Sequence, residues 1–196
     1  DKSQDIIDSF FNRYPNIIKP IYNENNLGIS KTRNIALEQV NGELITFLDG
    51  DDYFYPNKLE YEYSILKKFH DYQAVYSNFH YINEKGDITG KFAKTDDTPA
   101  TGDIFINTYT RDYQVHSKNN YIYEMFYSNC LDKIGNYDKD IPLWEDWDFR
   151  IRFSKHFKYG YCPKINSAYR KSPTGIHNSE PKFHFREQIK IHNKNK

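Results

Sequence analysis

"ELITFLDGDDYFYP", residues 43–56, runs a mostly apolar segment, Leu44 to Leu48, directly into Asp49, Asp51 and Asp52. Both faces of "ELITFL" are largely apolar, the pattern of a strand covered on both sides, as in a parallel α/β sheet. Ligands of such sheets bind beyond the carboxyl ends of the strands, and the aspartates stand at such an end. Carboxylates this close repel one another unless a positive group joins them, and hard oxygen ligands suit Mg²⁺ or Mn²⁺. Gly50 lets the backbone turn and come close to a ligand. The plainer alternative is a polar turn in which Asp52 caps the helix after Pro56. An EF-hand is excluded, because Tyr53 and Phe54 fill the loop positions that need an acceptor and a glycine.

Working outward, "ISKTRNIALEQV" reads as a helix starting near Ser30 and stopping at Asn41-Gly42. Ahead of it, "SQDIIDSFFNRY" (3–14) has helical spacing and "NIIKPIYN" (16–23) suits a strand. Pro56 opens a helix, "QAVYSNFHYI" is a strand, and "NEKGD" turns into "ITGKF". Residues 93–120 are polar, a loop with one short helix inside. Then come a strand ("YIYEMFY"), a helix closed by Gly135 ("SNCLDKIG"), a strong helix ("LWEDWDFRIRFSKHF") and a strand ("KYGYCPKINSAYR"). Residues 1–176 make one domain with an open α/β sheet. Residues 177–196 form a weakly amphipathic tail, helical if structured, ending in a basic run expected to be solvated.

The 196 residues suffice for one core, which must draw on aromatics: 18 Tyr, 14 Phe and 2 Trp. Lys plus Arg and Asp plus Glu balance at 27 each, so no global field favours nucleic acid or anionic lipid. No apolar run has the length of a membrane span. Cys130 and Cys162 are lone thiols, which points to a reducing compartment. The cytoplasm is therefore the expected location, with peripheral association at the inner face of the cell membrane left open.

Arg33 shares a helix face with Ala36, Leu37 and Val40. Its stem can snorkel along the core edge, or its guanidinium can meet an anion such as an acidic-loop aspartate or a phosphate. A second acidic cluster, Glu145, Asp146 and Asp148, opens a helix where its dipole favours carboxylates. Asp146 also shares a stripe with Phe149, Phe153 and Phe157, which aims it inward or into a cleft. There it suits a general base acting on a hydroxyl. Trp144 and Trp147 are core residues or flat faces for sugar rings.

These stretches together resemble a known family. "NENNLGISKTRNIALEQVNGELITFLDGDDYFYPNKLE" (23–60) resembles the central segment of family 2 glycosyltransferases, ending in F-L-D-x-D-D. "LDKIGNYDKDIPLWEDWDFRIRF" (131–153) and "AYRKSPTGI" (168–176) resemble their later hallmarks, so the likeness covers residues 1 to about 176. The resemblance implies the GT-A fold, a Rossmann-like, mostly parallel open sheet flanked by helices. It implies metal-dependent transfer of a sugar, with inversion, from a nucleotide-diphosphate-sugar, most commonly a UDP-sugar. The acceptor hydroxyl would belong to a glycan, a lipid-linked sugar or a protein, in surface polysaccharide or glycoconjugate synthesis.

By the same resemblance Asp49 and Arg33 would bind the nucleotide and Asp51 the metal, Mn²⁺ or Mg²⁺. Asp146 would be the base, with Glu145 and Trp144 shaping the acceptor site. His177 would be a further metal ligand, with His184 behind it, or else a solvated loop histidine. A strand–helix–strand segment of about forty residues would precede Asp1. The chain alone is then expected to bind nucleotide weakly and to expose a sheet edge. The rival readings are a catalytically silent sugar-binding or assembly domain of a larger synthase, and a nucleotidyltransferase. The second lacks its usual glycine-rich loop here.

Overall fold

The acidic stretch closes a very short strand. In the structure, a computed structural model describing residues 2–116, 123–172 and 181–196, β1 covers only Leu44–Thr46. It pairs antiparallel with β5 (Met125–Tyr127), Ile45 lying opposite Phe126. Next to β5 is β3 (Tyr72–Ile82), then β6 (Lys158–Arg170), then β2 (Tyr53–Phe54), with β4 (Ile88–Lys91) pairing to β3. Helices α1 (Ser3–Arg13), α2 (Ile29–Leu37) and α3 (Lys58–Lys68) precede β3. The later ones are α4 (Phe105–Thr110), α5 (Leu131–Ile134), α6 (Glu145–Ser154) and α7 (Pro181–Lys194).

The α/β class holds, but the pairing departs from the expected mostly parallel sheet. Among the described strands only β3 and β6 run parallel, from Tyr72 opposite Lys158 to Ile82 opposite Arg170. The β1–β5, β2–β6, β3–β4 and β3–β5 pairs are antiparallel. Two-sided apolarity reports that a strand is covered on both faces, not which way its neighbour runs. Direction follows from the connections. The turn from β3 to β4 is closed by the Asn83 carboxamide, which accepts from the N–H groups of Lys85 and Asp87, both at 2.9 Å. A turn that short permits only an antiparallel return, whereas β3 to β6 has a long crossover. The expected strand at 16–23 is absent: no strand forms there, and Ile17 is 83% exposed. Pro20 removes one donor from that segment, and no described strand lies beside it to supply a ladder.

The core is aromatic, as the composition requires. Phe126 meets Phe149 and Phe153, each at 5.6 Å between ring centroids, and Phe153 meets Tyr159 at 5.1 Å. Each such ring contributes about 1.5–3 kcal/mol by leaving water. Helix α6 is buried on two sides. Phe149 and Phe153 face the sheet, while Trp147 and Ile151 pack with Ile141 and with Ile191 of α7.

The basic end of the chain is docked rather than solvated. The fully buried Asp148 carboxylate accepts from Lys194 Nζ at 2.9 Å, Asn195 Nδ2 at 3.0 Å and Arg152 Nε at 2.9 Å. A carboxylate taken out of water needs such partners, so Asp148 anchors α7 onto α6. Cys130 and Cys162 are free and buried. No described helix is long and apolar enough to cross a membrane.

Candidate active site

Helix α2 follows Gly28, whose φ of 78° suits a residue without a side chain, and it projects Arg33 toward the end of β1. There the guanidinium does what an anion partner demands, twice over. Arg33 Nη2 donates to Asp49 Oδ1 at 3.0 Å, and Nη1 donates to Glu145 Oε1 at 2.7 Å. Its carbon lies 5.4 Å from the Phe47 ring centre and 5.3 Å from that of Tyr137, a cation held between two aromatic faces. Burial opposes its charge, but Tyr137 and the carboxylates outweigh burial and the guanidinium's pKa is raised. One residue therefore joins the acidic loop to the start of α6.

Around this junction lies a cavity of about 480 Å³. Arg33, Asp49, Trp144, Glu145 and Asp146 all line it, so the structure brings five of the predicted site residues together. Trp144 stands before α6 with φ at 66°, an unusual conformation for a bulky residue, and its indole N–H reaches His184 Nδ1 at 3.2 Å. Glu145 is buried, and its carboxyl is pushed up to about 7, by burial first and the Asp146 charge second, with Arg33 pulling the other way. Asp146 keeps a third of its side chain exposed (34%). Its Oδ1 accepts the Trp147 N–H at 2.8 Å and its Oδ2 accepts Arg150 Nη1 at 2.7 Å.

Asp51 stands apart from the cavity lining, exposed, with no hydrogen bond or ion pair made by its carboxylate among the described residues. Asp52 is a latch. It accepts the Tyr123 hydroxyl and, at 2.6 Å, the Arg170 N–H, tying the acidic loop to the end of β6. Burial raises the Asp52 carboxyl to about 6, with Tyr123 and Arg170 offsetting part of the shift. His177 lies outside the described residues.

Among the described residues no three His, Cys, Asp or Glu side chains converge as a metal cage. The exposed, unpaired Asp51 carboxylate is a hard oxygen donor of the kind that Mg²⁺-type ions take one or two at a time.

The sequence model described as Glycosyl transferase family 2 matches residues 1–175. The chain belongs to glycosyltransferase family 2. An uncharacterized glycosyltransferase of Methanocaldococcus jannaschii is 28% identical over 170 residues, spanning 86% of this chain and 56% of the relative. Minor teichoic acid biosynthesis protein GgaA of Bacillus subtilis is 31% identical over 178 residues, 87% of this chain and 37% of that protein. The chain thus spans about half or less of these relatives' length. The crystal structure of S. aureus TarS 1-349 in complex with UDP-GlcNAc has a TM-score of 0.69 at 18% identity, covering 97% of this chain and 53% of that one. At such identity the likeness is one of fold, the GT-A glycosyltransferase architecture.

Within this family 2 domain, several cavity residues escaped the sequence reading. Glu124, Arg150, Tyr123, Tyr137 and Tyr169 also line the cavity. Arg150 follows Asp146 by four residues, a spacing that signals a helical ion pair. Glu124 carries no such local signal.

Proposed function

We propose that this chain is the catalytic part of a metal-dependent, inverting glycosyltransferase that moves a sugar from a UDP-sugar to an acceptor hydroxyl in surface polysaccharide or glycoconjugate synthesis. The observation that carries this reading is the Arg33 bridge, which sets the strand-end acidic loop and the first turn of α6 on one cavity. The polysaccharide setting is supported by the name of the teichoic acid relative, and the donor class by the UDP-GlcNAc bound in the fold neighbour.

The chemistry follows from the residues. Asp49 and Arg33 hold the nucleotide end of the donor. Mn²⁺ or Mg²⁺ bound by Asp51 together with the donor diphosphate would neutralise the charge of the leaving group. Asp146 accepts the acceptor's hydroxyl proton as that oxygen attacks the anomeric carbon from the face opposite the diphosphate. The carbon–oxygen bond to the diphosphate breaks, its electron pair leaves with UDP, and the configuration inverts. Trp144 offers an apolar face for the acceptor sugar, and Glu145 borders the same site.

The test is a screen of UDP-sugars with Mn²⁺ on the full-length protein, followed by Asp146→Asn. Turnover should fall about 10²–10⁴-fold while donor affinity stays unchanged. Full turnover in that variant would sink the enzyme reading and favour a binding or assembly module.

A further inference from the structure

We infer that Glu124 and Arg150 form a positioning pair that aims and tunes the Asp146 carboxylate, deepening the reading of Asp146 as the base and resting on it. Arg150 is buried, and its guanidinium is committed on three sides. Nε donates to Glu124 Oε1 and Nη2 to Glu124 Oε2, both at 2.9 Å, leaving Nη1 directed at Asp146 Oδ2 at 2.7 Å. The two bonds to Glu124 make a bidentate fork, which fixes the plane of the guanidinium as a single bond would not. Glu124 itself sits just before β5, on the sheet rather than on α6, so the orientation of Asp146 is referred to the sheet.

The pair is also expensive to keep unless it serves the site. Both side chains are only 7% exposed, and a buried ion pair is often replaceable by apolar residues at no loss of stability. Glu124 and Arg150 both line the cavity beside Asp146. One guanidinium alone against Asp146 would hold that carboxylate strongly as the anion and make it a poor proton acceptor. Sharing the guanidinium with Glu124 leaves Asp146 anchored by an arginine whose charge is already partly balanced. Glu124 thus acts on the base through Arg150.

Other groups face Asp146: Glu145 on its own helix, Arg33 from α2, Arg111 from the end of α4, Tyr113, Tyr137, and Tyr169 from β6. His184 of α7 lines the same cavity. Of these, the Glu145 carboxyl, pushed up to about 7 by burial, titrates in the assay range, so the pH measurement is run in both the native and the Glu145→Gln backgrounds.

The experiment is the pH profile of kcat/KM for Glu124→Gln in the full-length enzyme, with donor Kd measured in parallel. Removing the Glu124 charge leaves more of the Arg150 charge acting on Asp146. The acid limb should move about one unit toward lower pH, with kcat down about tenfold and donor Kd unchanged, in both backgrounds. If Glu124→Gln does not fold, the double variant Glu124→Gln, Arg150→Met removes the buried pair as a unit. Its acid limb should move the other way, toward higher pH. A folded variant whose limb does not move, or whose losses in kcat and donor binding are equal, overturns the inference while leaving Asp146 as the base. Full turnover in Asp146→Asn overturns both.

Discussion

Arg33→Met isolates the junction on which the site depends. Methionine fills the slot between Phe47 and Tyr137 but carries no charge, so what is lost is the double ion pair. Removing one partner of a fully buried pair costs about 3–5 kcal/mol, an upper bound for Arg33, whose side chain keeps 14% exposure. The Asp49 arm, 44% exposed, is screened by water and adds little, so most of the cost falls on Glu145, 9% exposed. That cost depends on pH. The Glu145 carboxyl titrates at about 7 in the fold against 4.5 as its ordinary value. Such a raised pKa favours the fold while the group is protonated, and the benefit is lost as pH rises from 4.5 through about 7.

Without Arg33 the group resists ionising to still higher pH, and each pH unit of that resistance adds about 1.4 kcal/mol. The expected destabilisation is therefore about 2–3 kcal/mol at pH 8, but only about 1 kcal/mol at pH 5, where Glu145 is neutral in both proteins. In a chain of this size that is a melting temperature lower by about 5–10 °C at pH 8 and about 2–4 °C at pH 5. Thermal unfolding followed by circular dichroism at both values decides it. Equal losses at the two pH values would show that Arg33 is not neutralising Glu145.

Further outcomes follow from the same geometry. Asp51→Asn should raise the Mn²⁺ concentration needed for half-maximal turnover at least about tenfold, while stability stays within about 0.5 kcal/mol, since the side chain is exposed and unpaired. An unchanged metal titration would remove Asp51 from the metal site. Ile191→Ala empties a fully buried position between α7 and α6 and should cost about 2–4 kcal/mol in a urea unfolding series. A cost below about 0.5 kcal/mol would mean that α7 is not docked. Tyr123→Phe removes a hydroxyl that offsets burial at Asp52, so that carboxyl should titrate above its present value of about 6 by carbon NMR. A downward movement would contradict the latch.

Much of this was readable along the chain. The strand at 158–170 and the helix start at 145 follow from patterns of two and 3.6 residues, which a short window contains. The two-sided burial of α6 followed from its two aromatic stripes, and the aspartates after an apolar run marked a strand end. Sheet direction did not, because pairing depends on connections rather than on which faces are apolar. Glu124 was invisible because its partner, Arg150, is 26 residues away and on another element. The docking of α7 depended on Asp148, whose burial no local pattern distinguishes from helix capping.

By itself, then, the sequence determined most of the helices and strands, though not the course of residues 16–23, that the core is aromatic, and that two acidic clusters stand at element ends suited to ligands. Only the tertiary structure decided that the clusters share one cavity. Arg33 and Glu145 are separated by 112 residues, and the bond between them exists only once α2 and α6 pack at the same end of the sheet. Periodicity is a property of neighbours along the chain, whereas charge neutralisation in a site is a property of neighbours in space.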